Sequence, residues 1–173
     1  MSKEKNTANH ARVTGPVSEG LIRLSVNGEA YELTVQSNWT LQYVLHDKLG
    51  FNSIKDMCSG KGECGSCTVI ADKRPILSCM TLAIECYGKT IETVEGIAKE
   101  NHPLIEAYIK YHCMQCGYCT PGFVVTAKAL LDMNPNPMGD EVREALAGNL
   151  CRCGTYPQHV KSVLEAAENL RGG

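Results

Sequence analysis

Ten cysteines stand at positions 58, 64, 67, 79, 86, 113, 116, 119, 151 and 153. Their spacing, more than their number, points to chemistry. The stretch "CMQCGYCTPG" (113–122) sets three thiols at two-residue gaps, and "NLCRCGTYP" (149–157) adds two more. Thiols so close along the chain have poor geometry for bridging one another. Disulfide scaffolds also belong to small secreted chains. Clustered thiolates in a reducing compartment are instead metal ligands.

Cys58, Cys64, Cys67 and Cys79 form a first constellation, C-x5-C-x2-C-x11-C. It approximates the plant-type 2Fe-2S pattern C-x4-C-x2-C…C. Gly60, Gly62 and Gly65 lie among the thiols. A loop wrapped around iron and sulfide needs backbone conformations closed to residues with a Cβ. Its N–H groups must also turn inward toward anionic sulfur. The alternative is a structural zinc site of four cysteines. The glycine-rich loop and the distant fourth thiol favour iron–sulfur.

Cys116 and Cys119 with Cys151 and Cys153 form a second constellation, C-x2-C-x31-C-x-C. The alternative there is a 4Fe-4S site, because Cys113, Cys116 and Cys119 match the first three positions of C-x2-C-x2-C-x3-C-P. Its fourth position falls on Phe123. Cys86 and Cys113 are left over and read as small, half-buried apolar side chains; a sharper reading makes Cys113 a redox-labile thiol. With four thiols in each set, the five histidines are expected to be structural or solvent-facing. Arg152, between two ligands, either offsets charge or is a solvated surface residue. No Ser-His-Asp set, carboxylate pair or phosphate loop is evident, so the chain is not expected to transform a substrate alone.

These thiols sit in a chain of 173 residues, 43% hydrophobic and 21% charged, with a net charge of −2. That composition suits a globular protein of one domain or two small ones. It gives no reason to expect nucleic acid or an anionic membrane as partner, and no run is long and apolar enough for membrane insertion. Residues 1–20 are hydrophilic and read as a flexible tail without a secretory h-region, so a cytoplasmic location is expected.

Period-2 patterns on either side of Asn27-Gly28 predict a hairpin over 21–35. Leu41, Val44, Leu45 and Leu49 then repeat at helical spacing, capped by Asn38 or Thr40 and ended by Gly50. After the 58–67 loop, "TVIADKRPILSC" predicts a second hairpin turning near Asp72-Lys73, and "KTIETV" a strand. The second half reads as four helices: "HPLIEAYIKY", "TPGFVVTAKALLDM" with Thr120 as cap, "DEVREALAGN" with Asp140 as cap, and "PQHVKSVLEAAENL" with Val160, Val163, Leu164, Ala167 and Leu170 on one face. The expected fold class is α+β. The domains are a tail over 1–20, a ferredoxin-like unit over 21–97 and a helical unit over 98–173.

The motifs "GECGSCTV" (62–69), "PILSC" (75–79), "QCGYCTPG" (115–122) and "NLCRCGTY" (149–156) together resemble the small iron–sulfur subunit of the molybdenum hydroxylases. That family includes xanthine dehydrogenase, aldehyde oxidoreductase and carbon monoxide dehydrogenase. The resemblance spans about residues 21–170. It implies two 2Fe-2S clusters: one in a plant-ferredoxin-like β-grasp domain, held by Cys58, Cys64, Cys67 and Cys79, and one in a C-terminal four-helix bundle, held by Cys116, Cys119, Cys151 and Cys153. It implies that Gln115 and Cys153 lie against the molybdopterin cofactor of a large molybdenum-binding partner subunit. Electrons would leave singly through the second cluster and then the first, to FAD on another subunit or a different acceptor. Two departures stand out. The family has C-x4-C where this chain has C-x5-C, with the extra residue looped out at Gly60 or Lys61. It usually ends CRCTGY where this chain has CRCGTY, an order that resembles the branch of isoquinoline and nicotinate hydroxylases. Without that resemblance, a free-standing ferredoxin-like carrier or a zinc-stapled interaction module would be the alternatives.

Overall fold

The computed structural model describes residues 18–172. The tail expected over 1–20 therefore lies outside the described residues, except at its end. There Glu19 and Gly20 already belong to the first strand.

Strands β1 (Glu19–Val26) and β2 (Glu29–Gln36) pair antiparallel in the register Val26 to Glu29. Asn27 and Gly28 both adopt positive φ, 51° and 83°. That is the backbone a two-residue turn needs to match the twist of its strands. Asp72 and Lys73, at 47° and 68°, do the same between β3 (Thr68–Ala71) and β4 (Arg74–Leu77). With β5 (Thr90–Glu92) they form one five-stranded sheet, ordered β2-β1-β5-β3-β4. Only the β1–β5 pair is parallel; the others are antiparallel. The result is a mixed α+β fold.

Helix α1 (Leu41–Tyr43) starts as the sequence suggests, with the Thr40 hydroxyl accepting the Tyr43 N–H at 3.1 Å. It then widens into a π-helical turn over Val44–Lys48. Leu41, Val44 and Leu45 are buried against the sheet with Ile22, Val26, Val69 and Ile91.

Helices α2 (Val94–Lys99), α3 (Pro103–Lys110), α4 (Thr120–Met133), α5 (Gly139–Leu146) and α6 (Tyr156–Gly172) enclose a second core around Phe123, Tyr108, Val142 and Val163. Strand β3 serves both cores. Its alternation sends Val69 and Ala71 to one and Ile70 to the other, and all four of its residues are buried.

Several local expectations are corrected. Thr120 is not the cap of α4: Cys119 holds that place, and the Thr120 hydroxyl is buried inside the first turn. Asp140 is not the cap of α5, which opens at Met138, whose N–H donates to the Glu141 carboxylate at 2.7 Å. In both cases the capping signal lies one or two residues away from the point where the backbone turns helical. Leu170, near the end of α6, is exposed. Cys86 and Cys113 are wholly buried rather than half-buried. The six-residue α2 is too short to carry a periodic pattern and was not expected.

Candidate metal centres

The loop 58–67 delivers Cys58, Cys64 and Cys67 to one place. Cys67 immediately precedes β3, and Cys79 lies on the 3-10 turn Ser78–Met80 that follows β4. Ser78 ties these ends together, its hydroxyl donating to the Cys67 carbonyl at 2.6 Å. The loop reverses through left-handed backbone at Ser59, Gly60, Gly62 and Gly65. The Glu63 N–H, with help from the Cys64 thiol and the N–H groups of Lys61 and Cys64, brings the Cys58 thiol down to about 7. Burial and the neighbouring Cys67 push Cys79 up to about 12, against the pull of the Gly62 N–H. Cys58 also acts on Cys79. The four sulfurs therefore share one site, ringed by inward N–H groups. Such a nest favours bound anionic sulfur.

The second set gathers where three helix ends meet. Cys116 and Cys119 precede and cap α4, while Cys151 and Cys153 lie between α5 and α6. Cys116 and Cys153 approach to 3.6 Å, sulfur to sulfur. Cys119 and Cys151 are buried, Cys153 half-buried and Cys116 exposed. Burial and the adjacent Cys151 push Cys119 up to about 12. Burial would raise Cys151 as well, but the Thr155 hydroxyl and N–H, with Cys119 and the Cys153 N–H, hold it down at about 7.

The sequence did not assign the residues that support this set. The Cys151 N–H donates to the Tyr156 phenol at 2.8 Å, and the Tyr156 ring meets Phe123 edge-on. Thr155 Oγ1 lies 3.2 Å from Cys151 Sγ and 3.0 Å from His159 Nε2. The sulfurs of Cys119 and Cys151 and one imidazole nitrogen of His159 fall within 4.8 Å of one another. Thr155 and Tyr156 lie within the quoted "NLCRCGTY", but nothing in the string says which of them touches sulfur.

The two sets also touch. Asn149 and Leu150 donate to the consecutive carbonyls of Gly65 and Cys64, at 3.1 and 3.0 Å. Gly65 and Gly122 make this contact possible: a Cβ on Gly65 would lie 2.7 Å from the Gly148 carbonyl, and one on Gly122 would strike the Gly65 carbonyl. Gln115 is exposed beside Cys116. Cys113 belongs to neither set. Its sulfur lies 2.8 Å from the Ser162 hydroxyl, and burial raises its thiol.

Two groups of four thiols, each near backbone N–H donors, fit iron–sulfur clusters in donor type and number. Comparison with known proteins agrees. Residues 93–164 match the family described as a 2Fe-2S binding domain. The chain is 43% identical to the nicotinate dehydrogenase small FeS subunit of Eubacterium barkeri, over 85% of this chain and 94% of that one. It superposes on quinoline 2-oxidoreductase from Pseudomonas putida 86 with a TM-score of 0.84 and 37% identity, covering 90% of this chain and 98% of that one. The aldehyde oxidoreductase of Desulfovibrio desulfuricans also superposes at 0.84, with 42% identity; there the match covers 88% of this chain but 17% of that much longer one. The chain belongs to the family of small iron–sulfur subunits of the molybdenum hydroxylases. It is an iron–sulfur, electron-transfer component of a multi-subunit oxidoreductase.

Proposed function

We propose that Cys58, Cys64, Cys67 and Cys79 hold one 2Fe-2S cluster and that Cys116, Cys119, Cys151 and Cys153 hold a second. The observation that carries this reading is the convergence of the eight thiols on two sites of four, joined where Leu150 meets Cys64. When bound, such clusters supply one-electron transfer. The chain's own residues fix the thiolates, turn N–H groups toward sulfur and exclude water from Cys64, Cys67, Cys79, Cys119 and Cys151.

The first set belongs, in this reading, to a ferredoxin-like β-grasp unit over 21–97, and the second to a four-helix bundle over 98–173. Ile97 and Val94 already pack into the helical core, so α2 goes with the helical unit and favours a boundary a few residues earlier, before that helix. Cys116, Gln115 and Cys153 lie on an open face with Met114, Leu150 and Tyr156, all more than a third exposed except Cys153. We assign this face to a large molybdenum-binding subunit whose molybdopterin cofactor meets Gln115 and Cys153. The first set then faces FAD on another subunit, or a different acceptor. Among the described residues no helix is long and apolar enough to cross a membrane, and we assign the complex to the cytoplasm.

Metal analysis and EPR of the purified protein test the assignment. The expected result is about four irons and four sulfides per chain, with two distinct S = 1/2 signals on reduction. Zinc in place of iron, or a 4Fe-4S signature, would overturn it. A chain that purifies alone, free of larger partners, would overturn the subunit assignment.

A further inference from the structure

Behind Cys151 lies a short file of buried polar atoms that its own loop does not require. Thr155 Oγ1 stands between Cys151 Sγ, at 3.2 Å, and His159 Nε2, at 3.0 Å. All three side chains are at least nine-tenths buried. Thr155 is the N-terminal neighbour of α6, and His159 sits one turn into that helix, so the helix itself sets the spacing. The imidazole is clamped as well as placed. It stacks on Phe123 at 3.9 Å with the rings 3° from parallel, and Tyr108 covers it at 5.3 Å.

Hydrogen-bond inventory fixes the direction of the file. A cysteine that ligates iron is a thiolate and only accepts. The single Thr155 proton must then point at Cys151, which leaves its oxygen to accept from His159. His159 therefore carries its proton on Nε2. The other nitrogen, Nδ1, is buried without a partner. An acceptor left unpaired is more readily tolerated than a buried N–H left unpaired, so the same tautomer follows from that side. Burying these polar groups costs free energy that only their hydrogen bonds offset. The polar file is thus directed at the sulfur.

We propose that His159 and Thr155 are positioning residues for the second cluster: His159 Nε2–H holds the Thr155 hydroxyl in the orientation that donates to Cys151 Sγ, and this bond raises the reduction potential of the cluster that Cys151 ligates. A hydrogen bond to cluster sulfur stabilises the reduced, more negative state, which is the sense of the shift. The proposal rests on Cys151 being a ligand, as argued above.

The test is an EPR-monitored redox titration of the full chain, purified in its complex. Native protein first shows whether two cluster signals exist; one signal only would fail the ligand assignment and not the file. With both present, Thr155→Val is expected to keep both signals and the native iron content, to shift one midpoint to lower potential and to leave the other in place. Thr155→Ser should restore the native value, since it returns the hydroxyl. His159→Leu should shift the same midpoint in the same direction by a smaller amount, because Thr155 stays but loses its orientation. Thr155→Ala carries the same expectation as Thr155→Val should the latter not fold. Unchanged midpoints in Thr155→Val or Thr155→Ala would overturn the proposal. Loss of a cluster in His159→Leu would overturn it too, by making His159 a ligand.

Discussion

The backbone N–H of Leu150 donates to the carbonyl of Cys64 at 3.0 Å. Leu150 immediately precedes Cys151, so one hydrogen bond and a few covalent bonds connect a thiol of the first set with a thiol of the second. Asn149 repeats the contact one residue back, on Gly65. Two loops more than eighty residues apart in sequence are thereby locked in register. Helix α4 and β3, packed on one another, carry the same junction at the level of the core.

Gly122→Ala tests how tightly this junction is built. The added methyl would press on the Gly65 carbonyl, which already accepts from Thr68 and Asn149. Overpacking of this kind costs about 1–3 kcal/mol. The expected outcome is a lower unfolding midpoint and altered EPR lineshapes for both clusters. Gly139→Ala, with only the flexible Arg143 tip nearby, should leave both unchanged. Normal spectra and stability in Gly122→Ala would mean that the loops separate freely.

Serine scanning separates ligands from bystanders. Cys67→Ser and Cys119→Ser should each lose one EPR signal and about half of the iron. Cys86→Ser and Cys113→Ser should keep both. Each of those two sulfurs is wholly buried, Cys113 against Ser162 and Cys86 against the Leu82 carbonyl, and burial raises both thiols, Cys86 to about 11. Buried, protonated thiols are inert, which argues against a redox-labile Cys113. Loss of a cluster in Cys113→Ser would redraw the second ligand set.

Much of this architecture was legible because its signals are local. Asn27-Gly28 and Asp72-Lys73 must take positive φ, and the alternating residues around them leave one register open. The apolar stripe of Leu41, Val44 and Leu45 signals a helical segment by spacing alone, though not that it widens into a π-helical turn at Val44. Other features depend on distant residues. Whether Leu170 is covered depends on what packs against the end of α6, which its helical spacing does not say. Thr120 carries a capping side chain, but Cys119 is already helical in backbone, so the hydroxyl turns inward. The cysteine spacing is a local signal as well, since thiols of one loop lie near one another in sequence. Their support is not: His159 reaches Cys151 only through Thr155, and Leu150 reaches Cys64 only once the two halves are packed.

Glu95 makes stability depend on pH. Burial would raise its carboxyl, but the hydroxyls of Ser53 (2.6 Å) and Thr93 (2.5 Å) and the Ser53 N–H bring it below the ordinary value. Thr93 in turn exchanges two bonds with Asn27, so this knot ties the first hairpin to α2. A depressed carboxyl stabilises the fold above its unfolded pKa and loses that contribution as pH falls through the folded one. Glu95→Gln should therefore cost about 2 kcal/mol at pH 7. The gap to the native protein should narrow as pH drops below about 4.5, read by urea unfolding followed through Trp39 fluorescence. A gap that stays constant with pH would mean that the amide loses shape complementarity and not charge.

Gln115 tests which set faces the substrate side. Cys116 is exposed and Cys153 half-buried, and large exposed side chains stand around them: Met114, Leu150 and Tyr156 are 45%, 44% and 42% exposed, with the exposed Arg152 beside Cys153. Met, aromatic and Arg side chains are enriched at the centres of interfaces, while Lys and Glu are depleted there. The loop of the first set instead exposes Lys61 and Glu63. In the proposed arrangement the covered face is the one that carries Gln115, and the second set meets the molybdenum partner. Gln115→Ala should slow reduction of the clusters by substrate about tenfold, the equivalent of one hydrogen bond of about 1.4 kcal/mol. Their reoxidation by the external acceptor should be nearly unchanged. Stopped-flow measurement of both half-reactions in the intact complex distinguishes the two steps. Slower reoxidation with unaltered reduction by substrate would reverse the order of the two sets.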